Sequence, residues 1–387
     1  MFTIIPDIHA DWRRLEASLS MAAGTKPAFL GDFIDAGKGD MEQADDRRVL
    51  QRVRGLIDGD QAIAIMGNHE LNAILFHRRG ADGQPLRAQT KKNAGQHASF
   101  IEAIGVETPE ALAWTDWFLE ALPLWYDRQG LKLVHACWFE PEIELIRVRR
   151  PDGRLRPEDL PEIAREDTDF GRAVKLITSG REVALPRGVS FLDKRGDRRQ
   201  DVRLAWWRQD KTWRDAALSV PDRSSLPDSP LPGDIVTPAH PAGAAPVFVG
   251  HYKMDGQPRV ESKHVLCLDY PATPCVYRWS GETQIDPTRL QEIPAHKLAL
   301  AGNKLISTGW GTFVLEIRLR TPRGFEDDVH AALGLKPSYR ESDPDGVYYT
   351  WSPTHVKRRD DETIVYTLAN YLPAHIPRAI VWEESRY

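Results

Sequence analysis

Cysteine is scarce. Cys137, Cys267 and Cys275 are the only three in 387 residues. Three thiols fit no disulfide framework, and none stand as Cys-x-x-Cys, which excludes a disulfide scaffold and a paired-thiolate metal site. Long apolar runs are missing. No stretch approaches the ~18 residues that a membrane-spanning helix needs. A basic opening followed by an apolar core is also missing, so no secretory leader is expected and a soluble, reduced, cytoplasmic protein is. Excess positive charge is lacking: 51 Lys and Arg face 56 Asp and Glu, a net charge of −5. General nucleic-acid or acidic-membrane binding is therefore not expected. No internal repeat occurs.

What remains is ordinary globular composition, 41% hydrophobic and 28% charged. The length suits one large domain with a small one, or two modest ones.

Short apolar runs recur, and each delivers a polar residue at its end. Phe2-Thr3-Ile4-Ile5 leads to Asp7 and His9. Ala28-Phe29-Leu30 leads to Gly31-Asp32-Phe33-Ile34-Asp35. Ala62-Ile63-Ala64-Ile65-Met66 leads to Gly67-Asn68-His69-Glu70. Leu131-Lys132-Leu133-Val134 ends at His135, and Val247-Phe248-Val249 ends at Gly250-His251. Such runs read as buried strands. If they are sheet neighbours, Asp7, His9, Asp32, Asn68, His69, His135 and His251 converge on one rim, outside the carboxyl ends of the strands. Carboxylate, imidazole and amide oxygen together suit manganese, iron or zinc better than calcium or magnesium. That many ligands exceeds the need of one tetrahedral ion. Two ions sharing Asp32 as a bridge fit better, and a two-metal site clamps the attacking and leaving oxygens of an in-line displacement.

These motifs, in this order over roughly residues 1–285, resemble the calcineurin-like metallophosphoesterases. Glu70 after the histidine resembles the phosphoprotein-phosphatase branch, with bacterial serine/threonine phosphatases and symmetrical dinucleoside-tetraphosphate hydrolases among its relatives. The resemblance implies an α/β fold in which two mixed sheets are flanked by helices. It implies two divalent ions, manganese foremost, with iron or zinc as alternatives. Asp7, His9 and Asp32 would hold the first ion. Asp32, Asn68, His135 and His251 would hold the second. His69 would be the general acid or transition-state hydrogen-bond donor, oriented by Asp35. A water bridging the ions would be the nucleophile, and no covalent enzyme intermediate is needed.

The chain departs from the family pattern in two places. Pro6 and Ala10 stand where glycine is usual. Ala36 stands where the branch carries a phosphate-gripping arginine. Lys38 is close enough in sequence to substitute. Trp206-Trp207-Arg208 resembles the Trp-x-Arg of bacterial members, which would make Arg208 a substrate ligand.

Along the chain, Asp11 caps an expected helix to about Ala22, and residues 42 to 57 read as an amphipathic helix. A helix is expected after Gly67-Asn68-His69-Glu70. Thr108-Pro109 opens another, with Thr at the cap and Pro at the first helical position. Residues 136–246 read as a long insertion and a candidate lid, with weak apolar periodicity and seven prolines between Pro221 and Pro246. Its Arg147, Arg149, Arg150, Arg195, Arg198 and Arg199 either meet an anionic substrate or form a solvated face beside Asp193, Asp197 and Asp201. Trp206, Trp207 and Trp213 either stack a base or pack. Strands at 265–268 and 275–279 are expected to close a second sheet, ending a catalytic domain near 285. Residues 286–387 read as a small α+β appendage of unknown role, with strands at 313–319, 347–351 and 363–368 and a helix at 326–333.

The expected activity is hydrolysis of a phosphomonoester, including phosphoserine or phosphothreonine in proteins. A dinucleoside polyphosphate or other nucleotide is the rival substrate. A non-catalytic scaffold on the same fold is the alternative of another class. Ala36 favours it, and the complete ligand set argues against it. The expected partner is a phosphorylated protein or small molecule; the sequence does not set an oligomeric state.

Overall fold

The computed structural model describes residues 1–37, 41, 44–193, 196–208, 212–233 and 243–294, together with the backbone of four strands within 314–385. Lys38, Arg195, and the expected elements at 326–333 and 363–368 lie outside the described residues. Two compact units divide the chain: residues 1–12 with 21–292, and residues 13–20 with 293–387.

The chain opens with β1 (Phe2–Ile5), α1 (Trp12–Met21), β2 (Lys26–Phe29), α2 (Asp46–Asp58), β3 (Ile63–Ala64) and α3 (Asn68–His77). Then come α4 (Lys91–Gln96), α5 (Ala98–Ile104), α6 (Pro109–Ala121), β4 (Trp125–Arg128) and β5 (Leu131–Val134). The region read as an insertion holds α7 (Glu140–Arg149), α8 (Leu160–Arg165), α9 (Asp169–Ser179), β6 (Glu182–Ala184), β7 (Phe191–Leu192), β8 (Arg198–Arg199), β9 (Asp201–Leu204), α10 (Trp213–Ala216) and β10 (Ala217–Leu218). The first unit closes with β11 (Val247–Val249), β12 (Val265–Cys267), β13 (Cys275–Trp279) and β14 (Leu290–Glu292).

Two mixed sheets carry the site. One has the order β14-β13-β1-β2-β3, with β1, β2 and β3 parallel and β13 antiparallel to β1. The other has the order β12-β11-β5-β4, with β11 parallel to both β12 and β5. The parallel strands are mostly apolar because both their faces are largely covered. Ile4, Ile5, Ala28, Phe29, Leu133, Val134, Phe248 and Val249 are fully buried. The motif-bearing runs are thus split between two sheets rather than being neighbours in one. The strands expected to close a second sheet are split likewise: β12 joins β11, while β13 joins β1.

Helix starts follow capping chemistry. Asp45 caps α2 by accepting from Arg48 N, so this helix begins at Asp46 rather than near Glu42. Thr108 caps α6 ahead of Pro109. Gly67 precedes α3, and Glu70 at its third position reaches back to accept Gly67 N–H at 3.0 Å.

The insertion is more regular than its sequence suggests. An antiparallel sheet, β10-β9-β6, builds a small core of its own from Leu185, Val202, Leu204, Trp213 and Val220. Strands of two to four residues leave too little alternation to read from sequence. Among the described residues, no helix is long and apolar enough to cross a membrane.

The second unit contains a four-stranded antiparallel sheet. Its order is β16 (Tyr339–Asp343), β17 (Gly346–Trp351), β15 (Val314–Thr321), β18 (Ala379–Ser385).

Candidate metal centre

Five strand ends deliver the expected residues to one place. Asp7 follows β1, Asp32 follows β2, Asn68 and His69 open α3 after β3, His135 follows β5, and His251 follows β11. His9, Asp32, Asp35 and His251 all have left-handed backbones, with φ of 51°, 51°, 68° and 70°. Such conformations are uncommon for side chains other than Gly, and they gather where surrounding bonds fix them for function.

Glu70 supplies much of that fixing. Its buried carboxylate accepts Asp32 N–H at 2.9 Å, Phe33 N–H at 2.8 Å and Gly67 N–H at 3.0 Å. The start of α3 is thereby tied to the turn that presents Asp32. His69 N–H in turn donates to Asp32 Oδ1 at 2.9 Å. The approach is too close for any side chain at position 67: a Cβ there would lie 2.2 Å from Asp32 Oδ1. Gly250 serves Asp7 in the same way, since a Cβ there would lie 2.0 Å from Asp7 Oδ1. Asp7 accepts the neighbouring His251 N–H at 3.0 Å through Oδ2.

Two groups of donor atoms result. His9, Asp32 and His69 bring ligand atoms within 4.8 Å of one another, and so do Asp32, His135 and His251. Asp32 belongs to both. His69, the expected acid, stands in the first group; Asp7 lies beside it, with Oδ2 3.9 Å from His9 Nε2. Asn68 Oδ1 lies 3.0 Å from His135 Nε2 and 2.7 Å from His251 Nδ1. His135 Nδ1 donates to Leu30 O at 2.7 Å, which turns Nε2 toward Asp32 Oδ2 at 3.3 Å. His69 Nδ1 pairs with Asp35 Oδ2 at 2.7 Å.

The electrostatics ask for positive charge. Burial pushes Asp32 up, but His135, His69 and His9 outweigh it and hold its carboxyl well below the usual range. Burial disfavours charge on His69 and His135 too, yet Asp32 and its neighbours raise these imidazoles to about 9 and about 10. Burial and then Asp269 push Asp7 well above the carboxylate range. His251 is held neutral by burial, then by Arg203 and His135, and its buried Nε2 has no hydrogen-bond partner among the described residues. A neutral imidazole with an unengaged nitrogen, beside carboxylates that draw protons onto their neighbours, fits divalent-cation binding.

The site opens into a cavity of about 940 Å³. Asp32, Asp35, Ala36, Asn68, His69 and His251 form one part of its wall, and α9, β6 and β9 of the insertion form another. The insertion brings Arg172, Lys175, Arg181 and Arg203 to the space together with Glu166 and Glu182, and Arg87 and Lys253 come from elsewhere. Lys175 pairs with Glu166, Arg203 with Glu182 and Arg172 with Asp169. No spacing in the sequence singled these out, because they come from several separate segments: α9, the turn after it, β9, and the loops after α3 and β11.

Arg208, expected as a substrate ligand, is not among the residues that line this cavity. Its guanidinium donates to Glu261 through Nε at 2.9 Å and Nη2 at 2.5 Å, and through Nη1 to Asp215 O at 2.7 Å. Trp207 Nε1 donates to the same Glu261 at 3.0 Å, and Trp206 Nε1 donates to Ala136 O at 3.0 Å. With Trp213 also buried, all three tryptophans serve packing. Of the insertion's other arginines, Arg147 pairs with Glu144, Arg149 with Glu162, Arg150 with Asp159, and Arg199 with Asp193. Arg198 donates to Ser190. These form salt-bridged or hydrogen-bonded faces rather than an anion site. All three cysteines are buried, and none forms a disulfide.

Mixed sheets flanked by helices, with Asp, Asn and His gathered at the strand ends, define a fold of the metallophosphoesterase type. Residues 1–151 match the family model of the calcineurin-like phosphoesterases, the family that the motifs resemble. That match supports metal-dependent phosphoester hydrolysis. No curated protein matches the chain. Similar solved structures include a cold-active protein-tyrosine phosphatase of the psychrophile Shewanella sp., at 12% identity and a TM-score of 0.37, over 71% of this chain and 74% of that one. Another is a protein serine/threonine phosphatase from Saccharomyces cerevisiae with similarity to human phosphatase PP5, at 12% identity and a TM-score of 0.37, over 75% and 78%.

Proposed function

We propose that this chain hydrolyses phosphomonoesters at a dinuclear metal centre, with phosphoserine or phosphothreonine in proteins as the leading substrate class. The observation that carries the reading is the membership of Asp32 in both ligand groups. Asp7, His9 and Asp32 would hold one ion, and Asp32, Asn68, His135 and His251 the other. When bound, two such ions supply Lewis acidity toward the phosphoryl oxygens and a water acidic enough to act as nucleophile near neutral pH.

The chain's own residues do the rest. Asp35 holds His69 by Nδ1, which leaves Nε2 to donate a proton to the leaving oxygen. Glu70 and Gly67 keep Asp32 in its left-handed turn. Arg87 is the described cation best placed to take the role of the arginine absent at Ala36. It lines the same cavity as Asp35 and Ala36, lies near enough to Asp35 to sense its charge, and donates through Nη2 to Gln96 Oε1 at 2.9 Å. A guanidinium there would grip phosphate oxygens in fork geometry. One observation favours a second reading, a dinucleoside polyphosphate substrate: the cavity is large, and Arg172, Lys175, Arg181 and Arg203 also line it.

A screen of the Mn²⁺-reconstituted protein separates these. It is expected to hydrolyse p-nitrophenyl phosphate and to release phosphate from a phosphoserine peptide with higher kcat/KM than it shows on diadenosine tetraphosphate. The reverse order establishes the second reading. No turnover of any of the three, with metal bound, contradicts both.

A further inference from the structure

Asp35 has a second partner that the proposed mechanism does not use. Its Oδ1 lies 2.6 Å from His97 Nδ1, while Oδ2 serves His69. His97 is buried, stacked on Phe100 at 4.6 Å between ring centroids. Its other nitrogen, Nε2, lies 2.9 Å from His77 Nε2. His77 is buried too, and its Nδ1 accepts the backbone N–H of Glu107 at 3.0 Å.

The direction of every proton in this chain follows from its far end. A backbone N–H can only donate, so His77 Nδ1 accepts. Neutral His77 therefore carries its proton on Nε2 and donates it to His97 Nε2. His97 then carries its proton on Nδ1 and donates it to Asp35 Oδ1. A second proton on His97 Nε2 would face the His77 Nε2–H, so His97 is held neutral. Burial, the largest cause, lowers His77 to about 4, in keeping with its neutral form. Asp35 is left accepting from two imidazoles. Burial would raise it, but the hydrogen bonds from His69 and His97 are among the causes that hold it at about 2.

We propose that His97 and His77 are positioning residues for the reaction. From the Glu107 amide they form a one-way hydrogen-bond relay that orients the Asp35 carboxylate, and through it His69. The proposal rests on the reading of His69 as leaving-group acid, but its proton arrangement is testable without activity.

The first test is nitrogen NMR of the imidazoles in the metal-loaded full chain. His97 is expected as the neutral Nδ1–H tautomer and His77 as the neutral Nε2–H tautomer. Either ring in the other tautomer, or doubly protonated near neutral pH, overturns the relay.

The second test is kinetic. His97→Phe keeps a ring against Phe100 but cannot donate. It should keep its metals and lose about 10–100-fold in kcat on an alkyl phosphate, the weight of a hydrogen bond to a charged group. It should lose distinctly less on p-nitrophenyl phosphate, with KM little changed on either. His97→Asn, which can place an amide N–H near the position of Nδ1, should recover most of the loss. Equal slowing of both esters, or no slowing, in a folded variant overturns the positioning role. If His69→Asn shows no preference between the esters while the tautomers are as stated, the acid assignment fails and the relay stands.

Discussion

His69→Asn is expected to retain both metals and to lose about 10²–10⁴-fold of its activity on an alkyl phosphate, with distinctly less lost on p-nitrophenyl phosphate. The asymmetry follows from what a general acid does. An alkoxide leaves badly and needs a proton as its bond to phosphorus breaks. Nitrophenolate leaves well and needs it less. The geometry suits the role: Asp35 holds Nδ1 at 2.7 Å, and the side chain remains 22% exposed toward the cavity. Asp35→Asn should show the same ordering more weakly, because it orients the acid without touching substrate. Metal content and the two kcat/KM values check this together. A lost ion would make His69 a ligand, which its place in the first donor group allows. Equal slowing with metals intact would make it a stabiliser of phosphoryl charge.

Asp32→Asn is expected to empty the second metal site and slow all substrates by at least about a thousandfold. Asp32 is the residue common to both donor groups. A Lewis-acid contribution of several kcal/mol goes with the lost ion, and each ~1.4 kcal/mol is a decade in rate. The fold should survive. Asn keeps an oxygen for His69 N–H, and Glu70 still holds the backbone of residues 32 and 33. Asp7→Asn should disturb the second ion less, since Asp7 belongs to neither of the donor groups built around Asp32. Elemental analysis of the two variants decides: second-site occupancy unaffected by Asp32→Asn removes the bridge.

Much of the site could be read in the chain because each residue sits at the end of a buried parallel strand. Such strands show as unbroken apolar runs, so Ile4-Ile5, Phe29-Leu30 and Val134 flag Asp7, Asp32 and His135 directly. Thr108 and Pro109 likewise mark α6 by local chemistry alone. What stayed hidden depends on distance along the chain. His97 meets Asp35 from 62 residues away, and its neighbours Gln96 and Ala98 give no sign of it. Arg208 resembled a substrate ligand through its local Trp-Trp-Arg context, yet Glu261, 53 residues on, takes its guanidinium. The cavity's arginines and lysines come from α9, β9 and the loop after α3 among other segments, so no single stretch carries their pattern.

Metal stoichiometry of the purified full chain, measured beside its phosphatase activity, tests the dinuclear reading most directly. Two divalent ions per chain are expected after Mn²⁺ reconstitution, with hydrolysis of p-nitrophenyl phosphate lost on chelation and restored by Mn²⁺. Full hydrolysis by protein shown to contain no metal would contradict it.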